Sequence, residues 1–196
     1  MHDAIVDNCC GVLLAAGKSL RFGSDKLLHP LPDGTPVALA SARALLTVLP
    51  RVAVTVREES TELIHLLSGI GLDIVVVSDP DSGMGHSLSA GVAASLDASG
   101  WIVALADMPF INPLTIKSVA KALDAGSLLV APSYKGQRGH PVGFSNRFRY
   151  ELLALTGDQG ARSILLSHAN ELQLVSCTDR GVTFDIDLPT DIRLGS

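Results

Sequence analysis

The feature that most constrains the fold is a repeated alternation between short apolar segments and segments whose apolar residues recur at helical spacing. Most of the short segments are nearly continuous apolar runs, as expected for strands that are covered on both faces. This order predicts a single three-layer α/β/α domain over residues 1–196 with a mostly parallel, twisted, Rossmann-like sheet. The predicted strands are Val12–Ala15, Val52–Val56, Ile74–Val77, Ile102–Ala106, Leu128–Ala131 and Val142–Phe144, and the predicted helices are Val37–Val48, Thr61–Leu67, Ser87–Ala98 and Leu114–Leu123.

Boundary residues support these assignments. Asn112 before Pro113 is typical of a helix start, and Gly126 is typical of a helix end. Ser60 lies where an N-cap would precede the second helix. The Gly- and Lys/Arg-rich stretch Pro132–Pro141 is predicted to be a loop inside the domain. Because ligands of such sheets bind beyond the carboxyl ends of the strands, we expect the chemistry in the segments that follow the predicted strands.

Composition excludes several classes of partner. A net charge of −5 opposes binding of a nucleic acid duplex, and an aromatic content of 4% disfavours a surface for stacking bases. A small anionic substrate is still compatible, because a few cations and backbone amides suffice to hold it. The apolar runs are too short to span a bilayer, so no membrane partner is predicted. The three cysteines cannot all pair and are expected to be reduced thiols in a cytoplasmic protein.

A small-residue turn with several cations follows the first predicted strand. It reads Leu14-Ala15-Ala16-Gly17-Lys18-Ser19-Leu20-Arg21-Phe22-Gly23-Ser24-Asp25-Lys26. Small residues let the backbone approach a phosphate, and successive amides can form an anion-binding nest. Arg21 offers a planar fork for phosphate oxygens and Lys26 a compact charge. The pattern is not a P-loop, because Val12 stands where that motif requires glycine. From spacing alone, a surface turn with solvated cations is the alternative.

Aspartates mark two further places. Asp107 directly follows the strand Ile102–Ala106, a position well suited to hold Mg²⁺. Near the carboxyl end of the chain, strand alternation would put Asp185 and Asp187 on one face, where two carboxylates repel each other unless a cation relieves them. The alternatives are an aspartate that opens a turn at Asp107 and a helix-capping role around Asp191.

The loop from Leu14 to Lys26 resembles the signature loop of nucleotidyltransferases with a glycosyltransferase-A-like fold. Among these it is most similar to the molybdenum cofactor cytidylyltransferase and guanylyltransferase group. The similarity continues through Asp107-Met108-Pro109 to Asp191. It implies that Arg21, Lys26 and Asp107 are catalytic, and that Asp107 and Asp187 bind Mg²⁺.

The resemblance also assigns substrate contacts. Gly83-Met84-Gly85-His86-Ser87-Leu88 precedes a predicted helix and is similar to the family's Gly-Met-Ser-x-Ser-Leu, although Gly85 replaces a serine and Asp79 stands where asparagine is common. Arg138-Gly139-His140-Pro141-Val142 and Gly157-Asp158-Gln159-Gly160-Ala161-Arg162 resemble acceptor-side motifs, with a structural turn and a helix cap as the respective alternatives. The implied nucleotide-binding residues are Leu14, Ala15, Ala16, Gly17, Lys18, Ser19, Gly83, Ser87 and Leu88, and the implied acceptor-binding residues are Arg138, His140 and Arg162.

The activity implied is transfer of a nucleoside monophosphate from a nucleoside triphosphate to a phosphorylated acceptor, with release of pyrophosphate. The implied acceptor is molybdenum-bearing molybdopterin, and a molybdenum hydroxylase apo-enzyme is the implied recipient of the product. The turn Ala15-Ala16-Gly17 resembles the cytidylyltransferase branch, because the guanylyltransferase branch more often has Ala-Gly-Gly, so CTP is favoured over GTP. The alternatives are a guanylyltransferase, a sugar-phosphate or methylerythritol-phosphate cytidylyltransferase, and an inactive relative that binds and delivers cofactor.

Overall fold

The protein folds around an eight-stranded mixed sheet. A computed structural model describes residues 8–17, 22–23, 25–78 and 83–193. The strands are β1 (Cys9–Leu14), β2 (Arg51–Arg57), β3 (Asp73–Val77), β4 (Gly100–Leu105), β5 (Leu129–Tyr134), β6 (Gln137–Arg138), β7 (Val142–Ser145) and β8 (Leu172–Cys177). Their order is β3-β2-β1-β4-β7-β5-β6, and β8 pairs with β5.

Parallel pairing dominates the sheet. β1 lies between β2 and β4 and is parallel to both, and β3 continues this parallel set beyond β2. β7 is antiparallel to β4 and to β5, which it separates. β5 and β8 are parallel to each other. The prediction of a mostly parallel α/β domain is therefore confirmed.

Helices cover both faces of the sheet. They are α1 (Val37–Leu46), α2 (Thr61–Ser68), α3 (Gly83–Ala93), α4 (Pro113–Asp124), α5 (Arg149–Leu153) and α6 (Arg162–Ser167). On one face, Leu13 of β1 shares a core with α1, α2 and α4. On the other face, Val12 shares a second core with α3, α5 and α6. Successive residues of one strand point to opposite faces, so a continuous apolar strand supplies both cores. None of the helices described here is long and apolar enough to cross a membrane.

The boundary signals are mostly confirmed. The Asn112 side chain accepts a hydrogen bond from the Leu114 backbone N–H at 2.9 Å, with Pro113 in the first helical turn of α4. Gly126, directly after the C-cap of that helix, has a φ of 100°, which glycine adopts without strain. Ser60 occupies the N-cap position of α2, but its hydroxyl makes no capping hydrogen bond within the described region.

The prediction that Pro132–Pro141 forms a loop is wrong. β5 continues through Tyr134, turns at Lys135 and Gly136, and returns as β6. Both turn residues have positive φ, 50° and 82°, as the common two-residue hairpin turns require. The glycine therefore marks a tight hairpin and not a long connection.

Two other local predictions are also wrong. Gly83–Leu88 is not a loop that precedes a helix, because α3 already begins at Gly83 and Ser87 lies in its second turn. Asp185 and Asp187 do not lie on a strand, because residues 184–187 have no regular secondary structure. Their relative placement is set by the tertiary contacts of this segment and not by strand alternation.

Candidate active site

The carboxyl ends of β1 and β4 meet at one edge of the sheet. Leu14 is paired with Leu105, so the segments after both strands begin side by side. The Ala106 backbone N–H donates to the Leu14 carbonyl at 3.0 Å. The buried Ser41 hydroxyl on α1 donates to the Ala106 carbonyl at 2.8 Å. These bonds fix the backbone immediately before Asp107, and Ser41 has this role without any signal in the sequence motifs.

Lys26 and two aspartates form the charged centre of this edge. The Lys26 ammonium donates to Asp107 Oδ2 at 2.7 Å and lies 3.5 Å from Asp187 Oδ1. The exposed fractions of the three side chains are 12% for Lys26, 22% for Asp107 and 36% for Asp187. Asp107 Oδ1 is buried and has no hydrogen-bond partner within the described part of the chain. The structure thus brings together three of the side chains that the sequence predicted for catalysis and metal binding.

Asp187 is held in place through its backbone. Asp191 Oδ2 accepts hydrogen bonds from the backbone N–H groups of Asp187 at 3.0 Å and Leu188 at 2.7 Å. The buried Ile186 donates its N–H to the Asp107 carbonyl at 2.9 Å. Asp187, and not the exposed Asp185, therefore faces Asp107 across the lysine. Asp191 is a positioning residue that the sequence suggested only as a possible helix cap.

The donor set fits a divalent cation. Two carboxylates from distant parts of the chain converge on one cationic position, which the Lys26 ammonium occupies. No group of three or more His, Cys, Asp and Glu side chains suited to a metal occurs in the described ranges. Mg²⁺ commonly takes one or two carboxylates and completes its coordination with substrate phosphates and water. Asp107 and Asp187 match that pattern.

The loop after β1 offers open backbone at the same edge. Ala15 is buried and donates its N–H to the Thr55 carbonyl at 2.9 Å, which fixes the start of the turn. Ala16 is partly buried and Gly17 exposed. Apart from its chain neighbours, no atom of the described residues lies within 4 Å of a Cβ built at Gly17, so these residues leave the backbone accessible from this side. The predicted residues Lys18, Ser19 and Arg21, and also Asp79, lie outside the described residues.

A second feature of the site is an apolar cleft with a volume of about 130 Å³. It brings the predicted nucleotide-side residues Leu14 and Leu88 together with all three predicted acceptor-side residues. Gly83 and Ser87 do not line this cleft, and Ser87 is buried inside α3. The lining comprises Leu14, Met84, Leu88, Val103, Leu105, Arg138, His140, Val142, Phe144, Gln159, Ala161, Arg162 and Leu165.

His140 is a neutral polar group at the wall of the cleft. Burial and, to a smaller extent, the nearby charge of Arg138 lower the pKa of its ring to about 4, although a hydrogen bond with the Val103 backbone and the charge of Asp185 act in the opposite direction. Its Nδ1 atom is buried without a hydrogen-bond partner in the described region. A neutral imidazole with an unused nitrogen can donate or accept one hydrogen bond from a ligand.

The backbone at His140 is tied to the segment that carries Asp187. The His140 N–H donates to the Val182 carbonyl at 2.8 Å. The preceding Gly139 packs so closely on Val182 that a Cβ would overlap its carbonyl oxygen. Glycine is required here by close approach, and the segment between Val182 and Asp187 thereby links the cleft to the carboxylate pair.

The start of α3 is packed against the segment that leads to Arg162. The Gly85 N–H donates to the Gly157 carbonyl at 2.8 Å. A Cβ at Gly85 would lie 2.7 Å from the Thr156 carbonyl oxygen, and one at Gly83 would overlap Gly157 itself. From sequence, Gly85 was only a departure from a nucleoside-binding pattern. The structure gives it a packing reason, because it allows two loops of the site to touch.

Comparisons with known proteins agree with this geometry. A family model described as MobA-like NTP transferase domain matches residues 11–172. The purine catabolism protein PucB of Bacillus subtilis is 33% identical over 191 residues and covers 92% of both chains. Nicotine blue oxidoreductase of Paenarthrobacter nicotinovorans is 29% identical, with 95% of this chain and 96% of that protein covered. A probable molybdenum cofactor guanylyltransferase of Thermococcus sibiricus is 32% identical over 133 residues, with 67% of this chain and 65% of that protein covered.

Solved structures give the same result. The crystal structure of Rv0371c from Mycobacterium tuberculosis superposes with a TM-score of 0.84 and 28% identity, covering 95% of this chain and 97% of that chain. A crystal structure of Rv0371c in complex with manganese superposes with a TM-score of 0.80 and 26% identity, with the same coverage of both chains. The fold of these neighbours is therefore the fold described above.

Proposed function

This chain belongs to the MobA-like NTP transferase family, and on that premise we propose that it transfers CMP from CTP to the phosphate of molybdenum-bearing molybdopterin. The observation that carries the proposal is the convergence of Asp107 and Asp187 on one cationic position, 2.7 and 3.5 Å from the Lys26 nitrogen. This position lies beyond the carboxyl ends of β1 and β4, where open α/β sheets bind their ligands.

In the proposed reaction an oxygen of the acceptor phosphate attacks the α-phosphorus of the nucleotide. A new P–O bond forms, the bond from the α-phosphorus to its bridging oxygen breaks, and pyrophosphate leaves with that electron pair. Such transfers demand mainly positioning and charge stabilisation from the protein, so no protein nucleophile is required. Arg21 and Lys26 would contact the α- and β-phosphates, and the backbone amides of residues 16–19 would hold the triphosphate.

Asp107 and Asp187 would hold Mg²⁺, which when bound would neutralise developing charge on the phosphate oxygens. Ser41 and Asp191 contribute indirectly, because they fix the backbone beside the two carboxylates. The manganese complex of the Mycobacterium tuberculosis neighbour supports a divalent cation in a protein of this fold.

The turn after β1 supports CTP over GTP. The sequence Ala15-Ala16-Gly17 resembles the cytidylyltransferase branch, and the burial of Ala15 limits the space beside the turn. Base recognition at such a turn depends on backbone groups, whose positions determine how closely a ring can approach. GTP is the second candidate, favoured by the name of the Thermococcus sibiricus relative.

The apolar cleft supports a ring-bearing, phosphorylated acceptor. Its apolar floor can cover the face of a ring system, while the guanidinium groups of Arg138 and Arg162 can pair with phosphate oxygens. Neutral His140 can hydrogen-bond to a polar ring edge through Nδ1. We further propose that the product passes to a molybdenum hydroxylase apo-enzyme. A cytoplasmic setting would suit the three cysteines, none of which forms a disulfide.

Thermal unfolding with CTP, GTP, UTP and ATP, each with Mg²⁺ or Mn²⁺, tests the nucleotide. A ligand that binds only the folded state raises the unfolding temperature, and CTP should raise it most. Pyrophosphate release with molybdenum-bearing molybdopterin then tests the transfer, with methylerythritol phosphate as the competing acceptor. A preference for GTP would replace CTP in the proposal. If the protein binds nucleotide but releases no pyrophosphate from it with any acceptor present, the transfer reaction would be overturned in favour of cofactor binding and delivery.

A further inference from the structure

Lys26 contacts three oxygen atoms of the protein, which a lysine that only binds phosphate would not need to do. Its ammonium donates to Asp107 Oδ2 at 2.7 Å and to the Ile186 carbonyl at 2.9 Å, and it lies 3.5 Å from Asp187 Oδ1. Two of the three N–H donors of the ammonium are thus used in hydrogen bonds, and the contact with Asp187 is an ion pair. The side chain is 12% exposed. In this structure, Lys26 is thus the counter-ion of the carboxylate pair.

A divalent cation and this ammonium cannot occupy the position together. Mg²⁺ binds oxygen at about 2.0–2.1 Å, so a cation held by the carboxylate oxygens that face Lys26 would compete with the ammonium for this position. Two positive groups beside the same pair of carboxylates repel each other strongly in a partly buried site. The carboxylates themselves can remain in place, because Asp191 and the Asp107–Ile186 backbone bond position them without the lysine.

We propose that Lys26 and the divalent cation exchange: the ammonium holds Asp107 and Asp187 together in the free protein and leaves as the cation arrives. The exchange rests on the metal site of the proposed function. Its consequence is that the free protein binds metal weakly, because each metal ion must displace three contacts of Lys26. The released ammonium is then available for the triphosphate, so nucleotide and metal favour each other's binding.

Direct measurement of Mn²⁺ binding by electron paramagnetic resonance tests the first half of this exchange without turnover. In the absence of nucleotide, Lys26→Met should bind Mn²⁺ at least about tenfold more tightly than wild type. In wild type the metal must break at least one charged hydrogen bond of Lys26, which the variant lacks, and one such bond corresponds to about this change in affinity. Lys121→Met removes an exposed positive charge from α4 and should leave the affinity unchanged. Unchanged or weaker binding by Lys26→Met would overturn the exchange.

Chemical labelling of the wild type tests the displacement itself and needs no variant. Acetylation by an amine-specific reagent, followed at Lys26 by peptide mass spectrometry, should rise several-fold when Mg²⁺ or Mn²⁺ is added without nucleotide, while labelling of Lys121 stays constant. Addition of CTP should then protect Lys26 again. Constant labelling of Lys26 at a metal concentration that saturates Mn²⁺ binding would overturn the exchange even if Lys26→Met bound metal more tightly.

The two levels of failure are distinguishable. If wild type binds no Mn²⁺ even with CTP present, the proposed metal-dependent transfer fails together with the exchange. If Mn²⁺ binds with CTP but neither the affinity of Lys26→Met nor the labelling of Lys26 changes, only the exchange fails. Lys26→Gln, which retains a donor for the Ile186 carbonyl, serves as the second variant if Lys26→Met does not fold.

Discussion

Replacing Gly85 with alanine should destabilise the protein, although alanine normally favours a helix over glycine by up to about 1 kcal/mol. Gly85 is the third residue of α3. An added Cβ would lie 2.7 Å from the carbonyl oxygen and 2.9 Å from the carbonyl carbon of Thr156. Both are backbone atoms, so no change of rotamer can relieve the contact. The segment at Thr156 must withdraw, and its withdrawal strains the hydrogen bond from Gly85 to Gly157.

The magnitude follows from these contacts. Inserting a methyl group into a packed contact costs about 1–3 kcal/mol, and loss of a backbone hydrogen bond costs about 1 kcal/mol more. After subtraction of the gain in helix propensity, the free energy of unfolding should fall by about 1–3 kcal/mol. For a domain of this size, that corresponds to a decrease in Tm on the order of 5 °C.

Urea unfolding followed by circular dichroism measures the effect, with Gly69→Ala as the matched control. Gly69 is the C-cap of α2 and has a φ of −73°, and a new Cβ would lie 3.9 Å from the Leu66 carbonyl oxygen, an ordinary van der Waals contact. The control should therefore remain within about 0.5 kcal/mol of wild type. If Gly85→Ala were as stable as wild type or more so, the close packing of α3 against residues 156–157 would not constrain the fold.

Asp107→Ala should abolish turnover, while the far-UV circular dichroism spectrum and the urea midpoint stay near those of wild type, because removing this partly exposed side chain leaves no cavity in the core. An active variant would show that Asp107 is not a metal ligand. His140 has a lowered pKa in the folded state, so the unfolded chain binds a proton more readily between pH 6.5 and about 4. The free energy of unfolding of wild type should therefore fall by up to about 2 kcal/mol because of this group between pH 7 and pH 5, and that of His140→Gln should fall correspondingly less. Equal decreases for the two proteins in urea unfolding would contradict the burial of a neutral ring.

The architecture was largely predictable because strands buried on both faces leave a continuous apolar record. The buried parallel strands β1, β2 and β4 all show it, and the edge strand β3 is also an apolar run although it is partly exposed. β8 was missed for the converse reason: among the described strands it pairs with β5 alone, and the exposed polar residues Gln173 and Ser176 interrupt its apolar residues. The antiparallel β7 was recognised as a strand, but its insertion between β4 and β5 depends on pairing energies that no local pattern encodes.

The sequence indicated which segments form the candidate site but not the contacts between them. The rule that ligands bind at strand ends identified Asp107 and the loop after β1 from local sequence alone. The pairing of Lys26 with Asp107 joins residues 81 positions apart and requires that β1 and β4 be neighbours. Likewise, the role of Gly85 depends on a segment more than 70 residues away along the chain, and a single sequence does not reveal such a contact.

Residues 182–187 are attached to the rest of the protein through backbone hydrogen bonds, and this attachment determines which positions can vary in sequence. The Val182 carbonyl and the Ile186 N–H tie the segment to His140 and Asp107, and neither bond depends on which side chain either residue carries. Mutations at solvent-facing positions between them, such as Asp185, can therefore accumulate without displacing Asp187 from the carboxylate pair. Substitutions can thus change the exposed surface of this segment one residue at a time while the backbone that positions Asp187 stays the same.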